Sequence, residues 1–443
     1  MGKYFGTDGV RGVANEDLTT AMAYKVGRYL GYYYSQSADA KIVIGKDTRL
    51  SSSMLEVALI SGCLESGADV YQLGYTTTPS VAYIVSTGDF SCGVMISASH
   101  NPYYDNGIKV FKNDGTKISE DLENLLEDYF VYEQDLPKAE RDKIGCLYDY
   151  REKLQSYFDY VEMVAHHDLS KTKVAIDLAN GASCYTAKAI FKQLNINADF
   201  YFDRPDGINI NNNCGSTHLG QICEIVRNGE YSVGFAFDGD ADRVLAIDED
   251  GSIVDGDAIM YICGKYLKEQ GELNDNTIVT TVMSNIGLHK ACRREGIDLK
   301  VTKVGDKYVY EEMQNGNYSL GGEQSGHIIF RSYANTGDGV LTAVTLLEIM
   351  AKSGKSLKEL CDGLVIYPQE LINLRVKSKE WVNDDEVLEL IVDIQKRLQD
   401  EGRILVRTSG TEPLIRVMVE APSVEICHAY ASEVADLIKN KDQ

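Results

Sequence analysis

VGFAFDGDADRVLAIDEDGSIV, residues 233–254, joins an unbroken apolar run to an acidic turn and then to a second apolar run. Val233–Phe237, bounded by turn-forming residues, reads as a buried strand. Val244–Val254 reads as a hairpin with Asp250-Gly251 in its turn. Between them Asp238, Asp240 and Asp242 alternate. Three carboxylates this close repel one another unless positive charge sits among them, and an all-oxygen set suits a hard cation such as Mg²⁺. Glu249 falls at the twelfth position from Asp238, as in a calcium-binding loop, but Arg243 holds the sixth position, where that loop needs glycine, and strands flank the run. A calcium loop is therefore excluded, and a solvated acidic turn is the plain alternative.

Outward from this stretch, strands alternate with helices. A helix over 21–35, a strand over 41–45, a helix over 51–66, a strand over 69–73, a short helix over 78–86 and a buried strand over 92–97 predict βα units and a mostly parallel sheet. The alternation restarts at 173–182. It resumes after Asp255, where helices over 257–269, 286–294, 305–314 and 337–352 frame strands over 277–282 and 299–304. After Tyr367-Pro368, Val387, Ile391, Ile394 and Leu398 keep helical spacing, RILVRTS and LIRVMVEA read as strands, and a terminal helix follows. The predicted fold class is α/β: three α/β domains with mixed sheets (1–150, 151–254 and 255–367) and a smaller α+β C-terminal domain (368–443).

Composition narrows the function. The 443 residues carry a net charge of −23, which disfavours nucleic acid as a partner because phosphate backbones demand a basic surface. An anionic substrate must then be caught by local cations. No stretch approaches the roughly 18–20 consecutive apolar residues of a membrane helix. MGKYFGTDGVRG lacks the apolar core of a secretory signal. Ten cysteines without a C-x-x-C pair predict buried, reduced thiols in a cytoplasmic protein.

MISASHNP (95–102) places Ser99 and His100 in a strand-to-loop turn, where a rigid scaffold presents side chains to solvent. The same residues also make an ordinary turn, and adjacent side chains on extended backbone point apart. RTSGTEPLIR (407–416) sets Arg407 and Arg416 around a Ser-Gly-Thr turn, a pattern suited to an anion nest with bidentate arginine contacts, or to solvated strand ends. GGEQSGHI (321–328) offers a carboxylate, an amide, a hydroxyl and an imidazole on a glycine-rich loop that suits sugar hydroxyls, with a simple turn as the alternative. FGTDGVRG (5–12) and GKDTRLSSS (45–53) add Arg11 and Arg49, either of which reads equally as a surface arginine, with Asp8 or Asp47 as its pair.

Taken in order, SASHNP, DGDADR, GEQSGH and RTSGTEP, with FGTDGVRG ahead of them, resemble the α-D-phosphohexomutase superfamily from end to end. GGEQSGH, NNNCGSTH (211–218) and KYFGTDGVRG favour its amino-sugar members over phosphomannomutase/phosphoglucomutase, which stays as the alternative. The resemblance implies three α/β domains around a central cleft, with a smaller C-terminal domain closing over it. It implies interconversion of glucosamine 6-phosphate and glucosamine 1-phosphate, with Ser99 carrying the phosphoryl group and a 1,6-bisphosphate as intermediate and activator. One Mg²⁺ per subunit would lie on Asp238, Asp240, Asp242 and the phosphorylated Ser99, with Arg243 orienting that phosphate. Glu323 and Ser325 would read sugar hydroxyls beside His327. Arg407, Ser409, Gly410, Thr411 and Arg416 would grip the phosphate that stays, and Arg11 would assist in binding. Asp306 and Lys307 match the loop that selects sugar orientation. Many relatives carry arginine where Lys307 stands, so charge is kept and bidentate geometry lost. Lys109, in DNGIKVF, is the candidate base or an equal candidate for phosphate counter-charge; His100 and His327 are weaker candidates. The implied partners are a sugar phosphate and a kinase or bisphosphate donor that first charges Ser99. No nucleic acid or membrane is implied, and a homodimer is left open.

Overall fold

Val233–Phe237 is a fully buried strand, paired in parallel with Lys173–Asp177 and antiparallel with Val244–Ile247, so the acidic run is the turn where strand direction reverses. These strands belong to a five-stranded mixed sheet ordered Ile253–Val254, Val244–Ile247, Val233–Phe237, Lys173–Asp177 and Asn197–Tyr201. The hairpin turns at Asp250-Gly251, where Gly251 adopts a left-handed φ of 78°. The computed structural model describes residues 5–6, 9–36, 39–132, 135–409 and 413–442. Contacts divide the chain into two compact units, Met1–Met283 with Ile297–Asp362, and Ser284–Gly296 with Gly363–Gln443.

In the first unit a seven-stranded sheet runs Phe5–Gly6, Gly9–Val13, Asp105–Lys112, Cys92–Ile96, Lys41–Lys46, Asp69–Tyr75, Leu147–Asp149. It is parallel on one side only. Gly9–Val13 pairs antiparallel with Asp105–Lys112, which pairs antiparallel with Cys92–Ile96. The expected mostly parallel sheet thus gives way to a mixed one, because DNGIKVFK opens on polar and glycine residues that hide a strand from a hydrophobicity reading. Its interior is nevertheless buried, and the polar side chains find partners there. Asn106 donates to Ser51 and Ser52 at 2.9 and 3.0 Å, and Lys109 donates to Asp240 and Asp242 at 2.8 and 3.1 Å. A four-stranded mixed sheet completes the unit, ordered Asp298–Thr302, Thr277–Thr281, Leu320–Gly322, Ile328–Phe330. Its last two strands form the hairpin that carries Glu323 and His327.

The second unit is built on a three-stranded antiparallel sheet, Gln369–Arg375, Leu414–Glu420, Arg403–Thr408, with helices Asp385–Leu398 and Val424–Lys441 packed into its core. The helix Ile286–Arg294 groups with it, although sequence order puts that helix inside 255–367. Asn285 and Lys290 bond to Tyr367, Lys290 pairs with Glu401, and Glu420 adds a buried tie. Its fully buried carboxylate accepts from the Ile286 N–H at 2.7 Å, one of the donors a helix N-terminus leaves unmet, and pairs with Arg403 at 2.7 Å. Arg403 in turn donates to the Ser284 carbonyl at 2.5 Å.

Among the described residues no helix is long and apolar enough to cross a membrane. Eight cysteines are buried as expected, Cys361 is half-buried and Cys146 exposed, and no disulfide joins any of them. Glu420→Ala would leave Arg403 without its buried counter-charge and the Ile286 N–H without its acceptor. We expect it to destabilise the C-terminal unit by about 3 kcal/mol. The chain's single tryptophan, Trp381, packs on that unit's core, so urea titration followed by its fluorescence reads this unit directly. An unshifted midpoint would show the pair to be dispensable.

Candidate active site

Asp238, Asp240 and Asp242 are buried to 0%, 0% and 6% exposure, with donor oxygens all within 4.8 Å of one another. Ala241 at φ 54° lets the turn bring them inward. Thr78, at the start of the helix Thr78–Thr87, donates from Oγ1 to Asp240 Oδ2 at 2.5 Å and from its N–H to the Asp240 carbonyl at 3.0 Å. Arg243 donates its N–H to Asp238 Oδ1 at 3.2 Å and holds Nε 3.9 Å from Asp242. Burial raises the affinity of both outer carboxyls for a proton. At Asp238 the charges of Asp242 and Asp240 add to it, and the group ends well above the carboxylate range. At Asp242 the Lys109 ammonium, His327 and Arg243 outweigh it, and the group ends well below. Asp240 Oδ1 and Asp242 Oδ1 are buried with no hydrogen bond. Unbonded carboxylate oxygens in a buried all-oxygen trio fit a divalent cation such as Mg²⁺.

Ser99 meets this trio directly. Its Oγ donates to Asp238 Oδ2 at 2.5 Å, across 139 residues of sequence. Its backbone is left-handed, φ 52°, a conformation rare outside glycine and asparagine. Because Ser99 is not extended, the expectation that its side chain and that of His100 point apart is overturned: His100 Nδ1 lies 3.2 Å from Ser99 Oγ. Burial, with the charges of Arg243 and Arg11, lowers His100 to about 4, so the ring is neutral at physiological pH. Arg11 reaches the same loop through Asn101 Oδ1 at 3.3 Å. Lys109 is nearly fully buried and donates to two aspartates, which holds the proton on its nitrogen and favours counter-charge over base.

The sugar-recognition candidates separate. Glu323 is buried and accepts from the Gly305 N–H at 3.1 Å, whereas Ser325 is exposed. His327 Nε2 accepts from the Gly337 N–H at 2.9 Å, which places the ring proton on Nδ1, 3.9 Å from Asp242. Asp306 pairs with Lys117 at 2.6 Å, and Lys307 with Glu120 at 2.5 Å. Asp306, Lys307, His327 and Lys117 border a cavity of about 610 Å³, a size that accommodates a small polar ligand; Ser99 and the aspartates do not line it.

In the C-terminal unit Arg407 and Arg416 sit directly opposite one another on antiparallel strands. Like charges in that register oppose each other unless an anion lies between them. Burial, with Arg416, lowers the hold of Arg407 on its proton. Ser409 is buried and its carbonyl accepts from Lys379 at 2.7 Å. Gly410 and Thr411 lie outside the described residues. Two residues that sequence reasoning leaves aside belong to this machinery. Thr78 gives no signal beyond its place at a helix start. Arg49, open to reading as a surface residue, is buried beneath the Ser99 loop, with Asp47 as its ion pair at 2.8 Å.

Sequence models of all four domains described as phosphoglucomutase/phosphomannomutase match this chain: domain I over residues 2–135, domain II over 149–251, domain III over 255–366 and the C-terminal domain over 371–437. The chain is 50% identical to a phosphoglucosamine mutase of Lachnoclostridium phytofermentans and 51% identical to one of Lachnospira eligens, in both cases over 100% of this chain and 99% of the relative. A phosphoglucomutase/phosphomannomutase family protein of Burkholderia thailandensis superposes with a TM-score of 0.81 at 22% identity, over 99% of this chain and 98% of that one. An Aspergillus fumigatus N-acetylphosphoglucosamine mutase, solved with GlcNAc-6P and magnesium, superposes with a TM-score of 0.70 at 18% identity, over 99% and 96%.

Thr78→Val removes the hydroxyl that orients Asp240 while keeping the side chain's shape. Loss of a partner behind a metal ligand weakens binding by about 10- to 100-fold. Calorimetric titration with Mg²⁺ should show that loss for Thr78→Val and a larger one for Asp240→Asn; equal affinity in the parent and both variants would separate the trio from metal binding.

Proposed function

The chain belongs to the phosphoglucomutase/phosphomannomutase family, among its phosphoglucosamine mutases, and on that premise we infer that it interconverts glucosamine 6-phosphate and glucosamine 1-phosphate. The observation that carries the mechanism is the 2.5 Å bond from Ser99 Oγ to Asp238, inside a buried trio of carboxylates. Ser99 is bonded to one member of a trio that offers ligands for a divalent cation. Its surroundings suit a phosphoryl carrier.

The enzyme works as the phosphoserine form. Ser99 is first charged by a kinase or by a bisphosphorylated sugar. The C1 hydroxyl of glucosamine 6-phosphate then attacks the phosphorus, the bond to Ser99 Oγ breaks, the hydroxyl proton ends on Ser99 Oγ, and glucosamine 1,6-bisphosphate results. After the bisphosphate turns end for end, Ser99 Oγ takes back the 6-phosphate and the 1-phosphate leaves. Such a transfer asks for alignment and charge stabilisation more than for covalent chemistry. Mg²⁺ held by Asp238, Asp240 and Asp242 would supply electrostatic stabilisation of the phosphoryl oxygens. Lys109 keeps the trio's excess charge in check from behind. Arg243, anchored by its N–H on Asp238, orients the phosphoryl group from the other side. His100, neutral and 3.2 Å from Ser99 Oγ, is an acceptor for the serine proton when Ser99 Oγ takes the phosphoryl group back, with Asp238 as the alternative. Glu323 and His327 face the sugar, and Arg407 and Arg416 hold the phosphate that is not being transferred. The buried thiols support a cytoplasmic setting.

Two measurements test this. Intact mass and peptide mapping should find one phosphate on Ser99, absent in Ser99→Ala, which should lose at least about 10³-fold in turnover. Steady-state rates should favour glucosamine over glucose and mannose phosphates. A fully active protein without phosphate at Ser99 would sink the mechanism, and net release of inorganic phosphate would make the enzyme a phosphatase.

A further inference from the structure

Ser99 holds an unfavourable backbone conformation, so something must keep it there. The Arg49 side chain is wholly buried, and all five of its N–H groups are used. Nε donates to Asp47 at 2.8 Å; one terminal nitrogen donates to the carbonyls of Ser99 at 2.8 Å and Asn101 at 2.9 Å; the other donates to those of Pro102 and, at 3.1 Å, Asp105. A second side chain converges on two of the same oxygens. Asn211, the first residue of NNNCGSTH, donates from Nδ2 to Ser99 O at 2.9 Å and to Asn101 O at 3.1 Å. Asn211 belongs to the segment that carries the five-stranded sheet, Arg49 to the segment that carries the seven-stranded one.

We propose that Arg49 and Asn211 form a positioning clamp that fixes the loop of the phosphorylated serine against the metal-binding turn and leaves the His100 N–H as a donor to the phosphoryl group. The peptide between Ser99 and His100 is planar and trans, so drawing its carbonyl into the clamp turns its N–H the opposite way. That N–H has no hydrogen-bond partner among the described residues. Asp47 keeps the guanidinium from rotating, since it also accepts from the Arg49 N–H at 3.0 Å and from Ser52 Oγ at 2.7 Å. Gly239 closes the arrangement: a Cβ there would stand 2.5 Å from Ser99 O and 3.0 Å from Asn211 Nδ2, so only glycine lets the metal turn approach the clamped carbonyl. The clamp touches neither sugar nor reacting atoms. It acts through Ser99, by setting where the phosphorus lies relative to the attacking hydroxyl.

The inference rests on the carrier role of Ser99 and is tested on the full-length enzyme in two ways. With ¹⁵N-histidine labelling, seven backbone amides remain visible. The His100 amide should move downfield when Ser99 is phosphorylated and return on dephosphorylation. Asn211→Leu keeps volume without the donor, and Arg49→Lys keeps the charge beside Asp47 without the fork. Misplacement of a reacting group by about 1 Å costs on the order of 100-fold, so kcat should fall roughly 30- to 100-fold with KM changed less than about threefold. Because an unfolded fraction also lowers apparent kcat at constant KM, kcat is referred to the folded, phosphorylated enzyme counted by circular dichroism and intact mass, and a loss that persists after that correction is the signature of a misplaced phosphoryl group. A parent enzyme without phosphate on Ser99 defeats the carrier role itself. With a phosphorylated, active parent, either a stationary His100 amide or a folded variant within about threefold of parental kcat overturns the clamp alone.

Discussion

Three carboxylates forced together out of water are the constraint from which the rest of the first unit follows. Asp238, Asp240 and Asp242 repel one another at separations under 4.8 Å, and burial strengthens that repulsion because little solvent is left to screen it. The fold answers with one cation and several hydrogen-bond donors brought from elsewhere. The strand Asp105–Lys112 runs antiparallel beside Cys92–Ile96, and that pairing delivers Lys109 to the trio. The start of the helix Thr78–Thr87 supplies a hydroxyl and an N–H to Asp240. His327 arrives on a hairpin of the four-stranded sheet. Three sheets therefore meet at one acidic turn, and they meet there because that turn is untenable alone.

The same crowding explains why the nucleophile's chemistry is unusual. A hydroxyl bonded to an acid is not a strong attacking group in its free state. With a divalent cation on its carboxylates, the cluster would be suited to hold an already charged phosphoryl group in place, the cation drawing off its negative charge. The left-handed backbone of Ser99 costs on the order of 1–2 kcal/mol. Arg49 and Asn211 offset it through bonds to the loop's carbonyls. Local strain and long-range bonding are two sides of one arrangement, since neither would persist without the other.

How much of this could be read beforehand differs residue by residue. The alternating aspartates were legible because strand, turn and strand are adjacent in sequence and the charge pattern has few meanings. Ser99 was not legible in MISASHNP alone; its role became readable only beside the other motifs, since turns and carriers use the same residues. The strand Asp105–Lys112 was hidden by its polar opening, where tertiary burial overrides propensity. Arg49 and Thr78 were hidden for a different reason: apart from Asp47, the partners of their side chains lie 50 or more residues away, and nothing local distinguishes a buried arginine from an exposed one. Asn211 lay inside a stretch that marked the family, with no hint of what it would touch. The grouping of Ile286–Arg294 with the C-terminal sheet was equally invisible, because it depends on partners such as Tyr367, Glu401 and the buried Glu420, all far along the chain.

The register of the C-terminal sheet has a consequence of its own. Arg407 faces Arg416 across the ladder, so the feature that makes this surface attractive to an anion also weakens the sheet that bears it. An anion that binds only the folded form adds stability in proportion to the logarithm of its concentration. An anion seated on this pair would therefore brace the sheet that bears it, so occupancy of this surface and resistance of the unit to unfolding would rise together.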